Sequence, residues 1–183
     1  MRVRFSTCKG TNILCDSINE VLGQITGILL NPDTGKVEGF FAISALPMIG
    51  TPFLSTIDIT KWGAHVHVRE TGTVFPLEDH VRLQPLLEDN RTILGQRIRT
   101  ESGRKIGVCH DVQFNSDSMR CEWLFPRRFW RWCTPIPFSD VLEVRQDAII
   151  VRDPNTSVKD PVQQESPLEI LQQIPGIGSV PEN

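Results

Sequence analysis

The chain has 183 residues, a formal net charge of −3, 39% apolar residues and 22% charged ones, an ordinary globular balance. That slight negative charge excludes a bulk attraction to nucleic acid or anionic lipid, so any such binding requires a local patch. No apolar run approaches the roughly 20 residues that span a bilayer, and five scattered cysteines without a CxxC pair read as free thiols of a reducing compartment.

In chain order, Met1-Arg2-Val3-Arg4-Phe5 is basic and is not followed by an apolar signal core, so a cytoplasmic location is expected. Short strands are expected near Arg2–Ser6 and Asn12–Cys15, then a polar turn at Asp16–Asn19. Leu22 to Phe41 reads as a β-hairpin. Leu22, Ile28 and Leu30 occupy alternate positions, and Asn31-Pro32-Asp33-Thr34-Gly35-Lys36 supplies turn chemistry, with Gly35 free to take positive φ. Ala45 to Gly50 is an apolar loop broken by Pro and Gly, expected to fold over a barrel mouth. Phe53–Thr60 and Ala64–Arg69 read as closing strands, bent at Lys61-Trp62-Gly63. Within Pro76–Asn90, Leu83, Leu86 and Leu87 have helical spacing, and Pro85 limits a helix there to a turn or two.

The hairpin occurs twice. Moved forward by 84 positions, Leu22–Phe41 falls without a gap on Ile106–Phe125, matching Gly23 to Gly107, Asn31 to Asn115, Asp33 to Asp117, Glu38 to Glu122 and Phe41 to Phe125. The same offset pairs Ser55 with Ser139, Ile57 with Val141, Ala64 with Ala148 and Val66 with Ile150. Such a register points to internal duplication, and the whole of 22–68 is expected to match 106–152 at a constant 84. The second copy has Met119 where Gly35 stands, so its turn is expected to close differently. The expected organisation is a first domain at 1–75, a linker at 76–91, a second domain at 92–153 and a flexible tail at 154–183, polar and proline-bearing from Asn155 to Glu165, with a short helix at Pro167–Gln173.

Leu94-Gly95, Ser102-Gly103-Arg104-Lys105-Ile106-Gly107, Asp111, Ile136-Pro137-Phe138-Ser139-Asp140-Val141 and Ala148-Ile149-Ile150-Val151 form a pattern that resembles the PRC-barrel. This is the small β-barrel of the photosynthetic reaction-centre H subunit and of the C-terminal half of the ribosome-maturation factor RimM. The first copy departs from it at Gly27, where the pattern has Asp, and has no Ile-Pro-Phe. The resemblance implies an all-β protein of two tandem PRC-barrel-like domains packed as an internal pseudo-dimer, acting as a docking module. Family partners include ribosomal proteins, membrane proteins and components of archaeal cell division. The chain is expected to be a monomer of paired barrels or a homodimer.

Little in the sequence suggests catalysis. His65-x-His67 offers two imidazoles, too few for a closed metal site, and they are expected to be partly exposed edge residues. His110-Asp111 invites an acid–base reading, but adjacent strand residues face opposite ways. No phosphate loop or nucleophile–base arrangement is legible. The expectation is a non-enzymatic protein without metal or cofactor. The segment that stands out is Phe125-Pro126-Arg127-Arg128-Phe129-Trp130-Arg131-Trp132, at the loop facing Pro47-Met48 of the first copy. Arg127, Arg128, Phe129, Trp130, Arg131 and Trp132 are the candidate binding residues. Arginine interleaved with aromatics suits a protein hot spot, phosphate contact with base stacking, or a hairpin whose Phe129 and Trp130 or Trp132 pack on the barrel.

Overall fold

The structure, a computed structural model, describes residues 1–45, 47 and 49–154. The expected tail from Asn155 on, with its short helix, lies outside the described residues, as do Leu46 and Met48 of the loop expected to cover a barrel mouth. The fold is all-β. Before the linker come β1 (Arg2–Arg4), a four-residue helix α1 (Phe5–Cys8), β2 (Asn12–Cys15), β3 (Glu20–Leu30), β4 (Val37–Ser44), β5 (Pro52–Ser55), β6 (Ile59–Trp62), β7 (Val66–Val68) and β8 (Val74–Pro76). The linker carries α2 (Gln84–Glu88), whose five residues agree with the limit set by Pro85. Beyond it come β9 (Arg97–Thr100), β10 (Lys105–Asn115), β11 (Arg120–Arg128), β12 (Arg131–Trp132), β13 (Ile136–Pro137), β14 (Val141–Val144) and β15 (Ile149–Val151).

These strands make two small barrel-like sheets of one design. The first runs β6-β7-β2-β3-β4-β5-β8, the second β14-β15-β9-β10-β11-β12, with β13 also on β11 and β1 on β10. Each contains one parallel pair, β2 with β7 and β9 with β15. The duplication is thus present, but its offset is not constant. Across the hairpins 84 holds. On the returning strands, Phe40 pairs with Leu54 as Leu124 pairs with Ile136, an offset of 82. Val66 pairs with Ile13 as Ile149 pairs with Ile98, so Val66 corresponds to Ile149 and not to Ile150. The β4–β5 connection is longer in the first copy by two residues, and a two-residue shift leaves every side chain on its own face. Accordingly Leu54-Ser55-Thr56-Ile57-Asp58-Ile59 is the counterpart of Ile136-Pro137-Phe138-Ser139-Asp140-Val141. Both break the expected continuous strand with one turn of 3-10 helix, at Thr56–Asp58 and Phe138–Asp140.

The two hairpin turns close alike, contrary to the expectation drawn from Met119. Asn31 Oδ1 accepts from the backbone N–H groups of Asp33 and Thr34, and Asn115 Oδ1 accepts from those of Asp117 and Ser118. Gly35 and Met119 both take positive φ, 65° and 48°. What differs is the neighbour. A Cβ on Gly35 would run into the Phe138 ring, whereas Met119 lines a pocket with Thr56, the small counterpart of Phe138. Large against absent in one half is matched by small against large in the other.

The copies meet about a pseudo-two-fold axis. The Val37 N–H donates to Met119 O and the Cys121 N–H donates to Gly35 O, both at 2.8 Å. At the offset of 84 these are the same bond, as an isologous contact requires. Phe40, Phe114 and Trp62 pack around this junction with tilted and edge-on rings, centroids 5.1 to 5.8 Å apart, and one apolar core runs through both sheets.

The segments that lead into each copy are exchanged. The linker ahead of the second copy packs on the first, where Leu77, Leu83 and Leu87 cluster with Leu29, Phe41 and Phe53. The N-terminal segment ahead of the first copy pairs with the second, Arg2, Val3 and Arg4 opposite Asn115, Phe114 and Gln113. Asp33 in one turn holds Arg91 of the linker; Asp117 in the other holds the Met1 amine. Residues 2–4, expected within the first domain, therefore belong by pairing to the second sheet. The expected strand Arg2–Ser6 also ends early. Asp111 accepts from the Ser6 N–H at 3.0 Å and from the Ser6 hydroxyl at 2.6 Å, which turns the chain at Phe5 into α1 as an N-cap would.

Candidate partner-binding hairpin

The arginine–aromatic segment builds a hairpin with no counterpart among the described residues of the first copy. Arg127 pairs with Trp132 and Arg128 with Arg131, leaving Phe129-Trp130 as a two-residue connection. Two-residue turns match strand twist when their corner residues take positive φ, and Phe129 does so at 53°, a conformation uncommon for a bulky side chain. The result is display. Phe129 is 84% exposed and Trp130 87%. Rings expected to pack on the barrel, in one of the three readings, instead point into water. Arg128 and Arg131 beside them are exposed, and Arg127, Arg128 and Arg131 form no ion pair among the described residues.

The stem of the hairpin is held differently from its tip. The Arg127 guanidinium lies 5.6 Å from the Trp132 ring centroid, and its Nη1 is 3.5 Å from His110 Nε2. His110 meets Trp132 edge-on at 5.2 Å. On the other side the Arg4 guanidinium sits 4.1 Å over Phe125 and 5.5 Å over Trp132. Arg127 is half-buried, its Nε shielded from solvent without a hydrogen-bond partner. So the six expected residues divide: Arg127 and Trp132 form a stem with Arg4, His110 and Phe125, while Arg128, Phe129, Trp130 and Arg131 form the tip. Nothing in the sequence tied Arg4 or His110 to this hairpin, because they come from β1 and β10 and are joined to it only by folding.

Asp111 lies beneath this face, 1% exposed. Its carboxylate accepts from Arg4 Nε at 3.0 Å, from the Ser6 N–H and hydroxyl, and from the Val112 N–H at 2.9 Å. All its capacity is used internally, so His110 and Asp111 do not form a dyad. In the first copy Gly27 occupies this position opposite Phe41, whose ring covers it, and a Cβ there would meet that ring at 2.9 Å.

The other candidates stay apart. His67 Nδ1 pairs with Asp16 Oδ1 at 2.7 Å, and His65 is exposed. Among the described residues no three metal-binding side chains gather. Cys8, Cys15, Cys109 and Cys121 are buried and Cys133 is partly exposed, all as free thiols. Burial pushes the thiols of Cys8, Cys109 and Cys121 up to about 12. Among the described residues no helix is long and apolar enough to cross a membrane. No protein-family model matches the chain, and no curated protein matches it.

Proposed function

We propose that this protein is a non-catalytic docking protein that binds a protein partner through the β11–β12 hairpin, with Phe129 and Trp130 as anchors and Arg128 and Arg131 as the charged rim. The observation that carries the reading is the near-complete exposure of two large rings on a tight, conformationally strained turn. Water gains nothing from them, and aromatic residues flanked by arginine are the residue types that dominate binding energy at protein interfaces. A partner suited to this tip has an apolar slot bordered by carboxylates. The resemblance to PRC-barrels, which serve as docking modules, points the same way, and a cytoplasmic adaptor is the form it would take. Ribosome association by RNA contact is the competing reading, drawn from the same rings and cations.

The test replaces only tip residues. In Arg128→Glu/Arg131→Glu the exposed charges contribute roughly 0–1 kcal/mol each to stability, so the unfolding midpoint is expected to stay close to the parent. Affinity for the captured partner should fall by about tenfold or more through charge repulsion, and Trp130→Ala should weaken it as well. Partner capture that survives nuclease and changes little between 50 and 300 mM salt supports protein docking; loss with nuclease and a steep salt slope assigns the tip to RNA. Unchanged capture by both variants would remove the hairpin from any binding role.

A further inference from the structure

We propose that Arg4 is the positioning residue of the docking hairpin and that the N-terminal segment acts as a strap whose attachment sets how the hairpin is presented. The inference rests on the docking reading of β11–β12. Arg4 touches three groups from three strands: Asp111 Oδ2 on β10 at 3.0 Å, the Phe125 ring on β11 at 4.1 Å and the Trp132 ring on β12 at 5.5 Å. β12 needs such support. It is two residues long and among the described residues its sheet partner is β11 alone, and a ladder that short is marginal by itself. The Trp132 ring carries the attachment instead, flanked by the guanidiniums of Arg4 and Arg127.

The first copy supplies an internal comparison. There the buried carboxylate is replaced by Gly27, the Phe41 ring closes over the gap, and among the described residues the β4–β5 connection carries no counterpart of β12. The buried carboxylate and the projecting hairpin occur together in the second copy; among the described residues the first copy has neither, and its own lead-in segment, the linker, is tied by Arg91 to Asp33 instead. The strap is itself fixed at both ends, by the Met1 amine on Asp117 at 2.7 Å and by Ser6 on Asp111. Events at the N-terminus that loosen residues 1–8 therefore reach Trp132 through Arg4.

Hydrogen exchange on the full chain tests this without any partner. Arg4→Met keeps the aliphatic stem and removes the planar cation; Arg4→Lys keeps a charge for Asp111 without the plane. Exchange of the amides of residues 127–133 is expected to accelerate about tenfold in Arg4→Met and by less in Arg4→Lys, while β3 and β4 keep parental protection. Unchanged hairpin exchange in Arg4→Met, or acceleration of all protected amides together, overturns the proposal. If Arg4→Met does not fold, Trp132→Leu removes the platform and leaves the Arg4–Asp111 pair. The hairpin should then loosen while residues 2–8 stay protected, and a hairpin that keeps parental protection also overturns the proposal. A positive exchange result combined with unchanged capture by the tip variants would refute docking and leave the strap standing.

Discussion

Gly35→Ala is the sharpest test of how the two copies are fitted together. Gly35 holds φ at +65° and its α-carbon faces the Phe138 ring, with no room for a methyl group. Two costs follow. A Cβ in the left-handed region costs roughly 1–2 kcal/mol, and forcing the ring aside in a packed junction costs about 1–3 kcal/mol more. The expected loss is therefore roughly 2–5 kcal/mol, read as a lowered urea midpoint in equilibrium unfolding. Phe138→Thr installs the side chain that the first copy uses at Thr56. Combined with Gly35→Ala it should return the packing part and leave the backbone part, giving a double-mutant coupling of about 1–3 kcal/mol. A single-mutant loss below about 0.5 kcal/mol, or zero coupling, would refute the idea that Gly35 and Phe138 are matched partners across the junction.

Three further outcomes are expected. Asp111→Ala strands the Arg4 cation and the Ser6 donors. Breaking a buried pair costs about 3–5 kcal/mol, but the Arg4 side chain is 37% exposed and recovers water, so about 2–3 kcal/mol by urea unfolding is expected, with Asp111→Asn milder. His80 lies stacked on Phe75 at 3.9 Å and edge-on to Phe53 at 5.1 Å, near Asp58, Asp79 and Arg82, and burial first of all lowers its pKa. A folded value below the unfolded one, near 6.5, means that its contribution is complete above about pH 6.5 and is lost as pH falls toward the folded value. His80→Phe should flatten the urea midpoint between pH 7.5 and 5.5, and an unchanged slope would count against this. Native alkylation at pH 8, followed by mass spectrometry, should label Cys133 well before Cys8, Cys109 and Cys121, because their thiols sit up to about 12.

What was legible in the sequence was local. Alternation in Leu22, Ile28 and Leu30 and the Asn-Pro-Asp-Thr-Gly turn are set by neighbours in the chain, and both hairpins are where they were expected. The drift from 84 to 82 was hidden because a two-residue slip preserves alternation, so chance matches such as Ser55 with Ser139 looked like register. Val3 and Phe5 alternate as a strand would, but Phe5 starts a helix because a carboxylate 105 residues beyond Ser6 caps it. The candidate tip residues were named by composition, whereas the contacts of Arg4 and His110 with Trp132 came only with the fold. Nothing in Phe129 or Trp130 themselves distinguishes a buried ring from a displayed one; the two-residue turn decides that.

The reciprocal hydrogen bonds and exchanged lead-in segments make the two halves obligate partners within a single chain. Fusion of this kind replaces a concentration-dependent association with an intramolecular one at high effective concentration. It also lifts a restriction that symmetry imposes: a true homodimer must carry every loop twice, so an aromatic hairpin on one subunit appears on the other. Here the halves have been free to diverge, and the corresponding connection of the first copy is two residues longer, with an exposed Ile49 and, among the described residues, no counterpart of β12. Among the described residues there is thus one hairpin of this type, and under the docking function proposed above it would occupy a partner without bridging two.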